Sequence, residues 1–130
     1  MKTLVVVCKK SRKIICVVFC NGKKHDFRLF AENGIHILEE IEAQTDTGFI
    51  GIEKIHKNSV LPHKKPKGGK LTKEQKRENR IISSSRVSNE HAIGFLKRFK
   101  ILTERYRGRR KRFGLRFNLI AGICNFELDI

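Results

Sequence analysis

Two runs rich in β-branched residues, Lys2–Cys8 and Lys13–Cys20, stand only four polar residues apart. Such side chains fit a pleated, half-buried surface, and Lys9-Lys-Ser-Arg12 is a connection of hairpin length. A chain that opens on this pair is committed to a sheet, and its later segments must cover it. Asn21-Gly22 closes the second run with a strong turn signal. At a period of two, Cys16 and Cys20 fall in step with Ile14 and Val18, so they read as small core hydrophobes.

The rest alternates helical and extended signals. His25-Asp-Phe-Arg-Leu-Phe30 predicts a short helix with Asp26 as N-cap and Asn33-Gly34 as its stop. A turn or second short helix is expected at 35–42, and a short strand at 41–46 ending on Asp46. Thr47-Gly48 breaks that strand. Phe49, Ile52 and Ile55 then share a helical face, which predicts a helix over 49–57. Ser59-Val-Leu61 is extended. The segment 62–70 holds both prolines and reads as a flexible basic loop. Thr72-Lys-Glu-Gln75 is a capping box, so a helix starts there and runs to about Lys100, with a break expected at Ser83-Ser-Ser85. Phe113, Phe117, Ile120 and Cys124 recur at helical spacing and predict a largely buried final helix. The order is that of an α/β domain, helices packed on a small sheet. Its 130 residues suffice for one domain at most.

Charge narrows the partner. The excess of 29 Lys+Arg over 13 Asp+Glu is +16. Residues 1–53 contribute 8 basic and 7 acidic groups, 54–112 contribute 20 and 4, and 113–130 contribute 1 and 2. The surplus is thus confined to the middle, which points to a polyanion, nucleic acid first, because neutralised phosphates release counterions. The cluster 105–112 interleaves Tyr106 with arginines and is followed by Phe113, a composition suited to DNA. The loop 62–70 reads equally as a DNA clamp or a solvated linker.

Other chemistries find little footing. The four cysteines form no Cys-x-x-Cys pair, and no His-x-x-x-His accompanies them, so a zinc site is not expected. Residues 1–8 lack the apolar length and small-residue cleavage site of a signal peptide, and no apolar run reaches bilayer length. The expectation is a cytoplasmic, nucleoid-associated protein with reduced thiols and no membrane partner. His25, His36, His56 and His63 are isolated from any nucleophile, and His91 lies about 100° round a helix from Glu90.

One stretch carries chemistry. In Arg86-Val-Ser-Asn-Glu90-His-Ala-Ile-Gly-Phe-Leu-Lys97 an arginine, a glutamate and a lysine recur at steps of four and seven, one side of an α-helix. Alone this reads as a surface ion-pair ladder worth a few tenths of a kcal/mol. It does not stand alone. Asn21-Gly-Lys-Lys-His-Asp-Phe-Arg-Leu-Phe30, Asp46-Thr-Gly-Phe-Ile-Gly51, Pro62-His-Lys-Lys-Pro-Lys-Gly68, Asn89-Glu-His-Ala-Ile-Gly94, Leu96-Lys-Arg-Phe-Lys100 and Asn118-Leu-Ile-Ala-Gly-Ile-Cys-Asn-Phe-Glu127 succeed one another along nearly the whole chain. In these motifs and their order the chain resembles the catalytic domain of bacterial insertion-sequence transposases of the DDE superfamily, IS-four/IS-five branch.

The resemblance implies a ribonuclease-H-like mixed sheet with flanking helices. It also implies two Asp and one Glu holding two Mg²⁺ ions that cut and rejoin DNA. The second Asp of that pattern matches Asp46 in Asp46-Thr-Gly-Phe49. The Glu matches Glu90, between Arg86 and Lys97; Ser83 and Phe49 stand where the family has tyrosines. The first Asp belongs to a strand preceding the hairpin, and no residue here matches it, since Asp26 falls in the His-Asp-Phe helix. The expectation is therefore a partial, N-terminally truncated catalytic domain. Asp46 and Glu90 are its catalytic and metal residues. Arg86, Lys97, Arg98, Arg105, Arg107, Arg109, Arg110, Lys111 and Arg112 are its DNA contacts, and transposon ends and target its DNA. Such a chain is expected to be inactive alone, or complemented by the N-terminal half of a split transposase. Without the central strand, the hairpin and the 41–46 strand lack a hydrogen-bonded bridge, which predicts exposed edges and marginal stability. A non-catalytic basic DNA- or RNA-binding protein and a decayed remnant are the alternatives.

Overall fold

A computed structural model describes residues 2–20, 22–103 and 110–130. The chain divides into two compact units, Met1–Gly22 with Val87–Ile130, and Lys23–Arg86.

The first unit is built on the expected hairpin, β1 (Lys2–Val7) and β2 (Ile14–Cys20), paired antiparallel. Arg12 takes φ 62° in the connection, where its amide donates to the Cys8 carbonyl at 2.7 Å. The register runs Val6↔Cys16 and then Val7↔Ile14, so an extra residue, Ile15, bulges from β2. That single insertion reverses the parity of the strand. Ile14 is buried, but beyond the bulge it is Val17 and Phe19 that pack on the core, with Val5 and Val7 opposite. The expected core set of Ile14, Cys16, Val18 and Cys20 is thereby corrected. The two cysteines and Val18 lie on the other face, half-buried.

Three helices complete this unit: α3 (Val87–Lys97), α4 (Lys100–Thr103) and α5 (Arg110–Leu128). Their numbers allow for two helices of the second unit, α1 (Asp26–Glu32) and α2 (Lys73–Ser85). Ala92 and Leu96 of α3 meet Phe113, Phe117, Ile120, Ala121 and Cys124 of α5 in one buried cluster. The spacing anticipated for the last helix is the one observed. Phe19 meets Phe113 edge-on at 5.4 Å and 77°, and Phe113 meets Phe117 at 5.9 Å. The ring of Phe19 lies directly over Gly114, where no side chain intervenes. Asn125 of α5 clasps the outer edge of β2: its Oδ1 accepts from Ile14 N at 2.7 Å and its Nδ2 donates to Ile14 O at 2.8 Å. One amide side chain thus supplies both bonds that a third strand would give that residue.

In the second unit α1 starts one residue earlier than the sequence suggests. His25 is the N-cap and makes no side-chain cap bond, so Asp26 is the first helical residue and not the cap. A carboxylate there suits the positive end of the helix dipole, which is why the position reads as a cap in sequence. Asn33 and Gly34 (φ 60°) end the helix as expected. Strand β3 is shorter than anticipated, Ala43–Gln44, and pairs parallel with β4, Ser59–Val60. Amides flanking it extend the contact, Ala43 N to Asn58 O at 2.9 Å and Thr45 N to Val60 O at 3.0 Å. The helix anticipated over 49–57 is instead a pair of 3₁₀ turns, Thr47–Phe49 and Ile52–Lys54. Gly51 at φ 106° separates them, a conformation that no continuous right-handed helix passes through. Leu29 and Ile52 are fully buried, and Phe30 meets Phe49 edge-on at 6.5 Å. Buried His56 satisfies itself by donating from Nε2 to the Ile41 carbonyl at 2.7 Å.

Helix α2 opens on the expected capping box. Thr72 Oγ1 accepts from Gln75 N at 3.2 Å, and Gln75 Oε1 accepts from Thr72 N at 3.1 Å. It closes where the serines turn their hydroxyls back on the backbone, Ser84 to Arg80 O at 3.0 Å and Ser85 to Ile82 O at 2.8 Å. The strands form two separate two-stranded sheets; among the described residues no strand joins them.

Candidate active site and nucleic-acid contacts

Asp46 sits where β3 gives way to the first 3₁₀ turn. It caps that turn, with Oδ1 accepting from Gly48 N at 2.9 Å. The bond fixes the carboxylate at a strand end, leaves Oδ2 outside it, and needs a bare residue at 48. A Cβ there would stand 3.1 Å from Asp46 Oδ1 and 2.6 Å from Asp26 Oδ2. Gly48 is therefore wedged between two carboxylates. The second of them, Asp26, reads in sequence as a helix cap and nothing more. The signal that finds it is not local, because the spacing from 26 to 46 has no periodicity to read.

Glu90 lies in the first turn of α3 and is exposed, and Lys97 is in the last turn of the same helix, also exposed. Seven residues at about 100° each bring them to the same side. Arg86 does not share that helix. It is the C-cap of α2, its amide reaching Ser83 O at 3.1 Å, so the continuous Arg86–Glu90–Lys97 face read from spacing is interrupted at its first member. The Ser83–Ser85 run that ends α2 is the physical reason. Asp46 and Arg86 belong to one unit, Glu90 and Lys97 to the other.

Arg98 is already engaged. Its guanidinium donates to Glu127 at 2.6 Å and lies over the rings of Phe95 and Phe99 at 5.4 and 5.3 Å. The Glu127 carboxylate holds its pKa above the usual arginine value. Arg112 is exposed near the start of α5. Arg110 and Lys111 fall in the backbone of that helix, and Arg105, Arg107 and Arg109 lie outside the described residues. The basic loop at 62–70 is anchored at its start. Asn79 of α2 accepts from His63 N at 2.7 Å and donates to His63 O at 3.0 Å, and the His63 ring meets Glu78.

Asp26 and Asp46 offer hard oxygen donors of the kind Mg²⁺ takes. Among the described residues, however, no three His, Cys, Asp or Glu side chains gather as a metal centre requires. No helix of the described residues is long and apolar enough to cross a membrane.

Residues 1–125 match the family described as "DDE superfamily endonuclease". The chain is 50% identical over 130 residues to a "Probable transposase for insertion sequence element IS702" of Microchaete diplosiphon. The match covers 100% of this chain and 47% of that protein, so the chain spans about half the length of the relative. No solved structure matches it.

Proposed function

This chain belongs to the DDE superfamily endonucleases, and on that premise we propose that it supplies part of a transposase catalytic domain acting on transposon ends and target DNA. In this reading Asp46 and Glu90 are catalytic carboxylates and metal ligands of a ribonuclease-H-like site, and Mg²⁺ is the metal. The family as a class implies a divalent cation, and paired ions supply nucleophile activation and leaving-group stabilisation when bound. Among the described residues the carboxylates do not complete such a centre.

The observation that carries the reading is Asp46. A strand-end carboxylate is locked by the Gly48 amide, with the Asp26 carboxylate beside the same glycine, so hard oxygen donors of the kind a divalent cation takes gather at the end of β3. Arg86, Lys97, Arg98 and the basic residues Arg105, Arg107, Arg109, Arg110, Lys111 and Arg112 are phosphate contacts that position DNA without reading it. For Arg98 this requires phosphate to displace Glu127. In the fold proposed, an Asp-bearing strand pairs between the hairpin and β3 and makes one mixed sheet. A second apolar stripe on α5 supports further protein around this chain. Leu115, Leu119 and Phe126 recur at helical spacing away from the buried stripe and are 72%, 64% and 68% exposed. The partner fitted to it is the N-terminal half of a split transposase.

Supercoiled plasmid with Mg²⁺ tests this. The purified chain is expected not to nick it. Adding the Asp-bearing segment in trans is expected to start nicking that Asp46→Asn or Glu90→Gln abolishes. Nicking by the chain alone, lost on Glu90→Gln, would show a complete site and overturn the incompleteness. Complemented nicking that survives both substitutions would remove the two residues from the chemistry.

A further inference from the structure

Helix α2 carries a feature that the carboxylates leave unexplained. Lys73, Lys76, Arg77 and Arg80 fall at i, i+3, i+4 and i+7. At about 100° per residue they occupy an arc of about 100° on one side of the helix. All four are exposed and together line one shallow cleft. The opposite side does the docking. Glu78 and Asn79 hold His63, Ser85 donates to Gln44 Oε1 at 2.8 Å, and Gln75 is spent on the cap.

A structural reason for the stripe is missing. Helix α2 buries no residue, so the four stems support no core. Among the described residues no ion pair joins any of the four to an acid; Glu78 is paired with His63, and Glu74 flanks the stripe unpaired. Like charges three and four apart on a helix repel by a few tenths of a kcal/mol per pair, so the stripe works against its own helix. A partner of opposite charge reverses that sign. From the first to the last cation the helix rises about 10 Å, roughly three base steps of a duplex at 3.4 Å each.

We propose that the Lys73–Lys76–Arg77–Arg80 face of α2 docks the sugar–phosphate backbone of duplex DNA, making about four phosphate contacts. The proposal rests on the reading of this chain as a DNA-handling transposase domain and assigns where the duplex is gripped. Contacts of this kind set register and affinity and carry no sequence information.

The test is the salt dependence of binding by the 130-residue chain to a fluorescent 30-bp duplex, followed by anisotropy between 50 and 300 mM NaCl. Each phosphate contact contributes about 0.9 to the slope of log K against log salt. Replacing all four cations by Gln, a comparable helix former, is expected to flatten the slope by about 3 to 4. A charge-matched control at Lys9, Lys10, Lys54 and Lys57 is expected to flatten it by less than about 1. Equal slopes for the stripe variant and wild type would overturn the docking face while leaving the transposase reading intact. A wild-type chain that does not bind duplex at 50 mM would remove both. Wild-type protein gives a second readout that no folding defect disturbs: duplex is expected to shield Lys73 and Lys76 from acetylation, and unchanged labelling there overturns the proposal.

Discussion

Replacing Gly114 with alanine sets two known effects against each other, and the structure decides the sign. In a helix interior Ala is favoured over Gly by about 0.5–1 kcal/mol. At position 114, however, a Cβ would stand 2.5 Å from Phe19 Cζ and closer still to Cε1. Carbon atoms rest at about 3.5–4.0 Å, so the ring must retreat by about 1 Å or more. Its retreat is blocked by the edge-on contact with Phe113 at 5.4 Å. Overpacking of this kind costs about 1–3 kcal/mol, and loosening the aromatic pair adds up to about 1. Gly114→Ala should therefore destabilise by about 1–3 kcal/mol. In a Phe19→Leu background the offending Cε1 and Cζ atoms are absent, and the nearest remaining contact, at Cδ1, is 3.6 Å. There the same substitution should stabilise by up to about 1 kcal/mol. Urea unfolding of the four proteins, monitored by circular dichroism at 222 nm, gives the double-mutant cycle directly. The chain has no tryptophan, so the helical signal is the practical probe. A Gly114→Ala effect of the same sign and size in both backgrounds would refute the packing of β2 on α5.

The other predictions are simpler. Asn125→Ala strips both bonds from the half-buried edge at Ile14 and should destabilise by about 2–4 kcal/mol, with the Ile14 amide among the first to gain hydrogen exchange. An unchanged Ile14 exchange rate would show the edge to be held by other means. Cys8 has its thiol pKa lowered, chiefly by a hydrogen bond from Ser11, whereas burial raises that of Cys124. At pH 8, iodoacetamide should therefore modify Cys8 first and Cys124 last, and the pH–rate profile of Cys8 should lie to the acid side. Mass spectrometry of partial alkylation reads both.

Most of the fold is legible in sequence where signals are local. The hairpin, the capping box at Thr72, the buried spacing of the last helix and the extended Ser59-Val60 all arise from patterns within a dozen residues. The features that sequence misses are set by one-residue events or by distant neighbours. A bulge at Ile15 turns Val17 and Phe19 inward in place of Cys16 and Val18, and period-two counting has no way to register it. Gly51 divides a helix that Phe49, Ile52 and Ile55 otherwise promise. At the candidate site Asp46 and Glu90 come from motif resemblance. Asp26 stays hidden because its relation to Asp46 exists only after α1 and the 47–49 turn come together. The α2 stripe, by contrast, stands in plain spacing; its function as a face emerges once the other side of the helix is seen to be occupied.

Gly48 also ties together two positions that inheritance would otherwise treat separately. Its missing side chain is the space that the Asp26 carboxylate fills, while its amide holds Asp46. A lineage that acquires any larger residue at 48 must shift the carboxylate at 26 or give it up, and in doing so unsettles 46. Drift at 48 is therefore conditional on 26 and 46, and a decaying copy of this chain that fills position 48 should disturb both carboxylates.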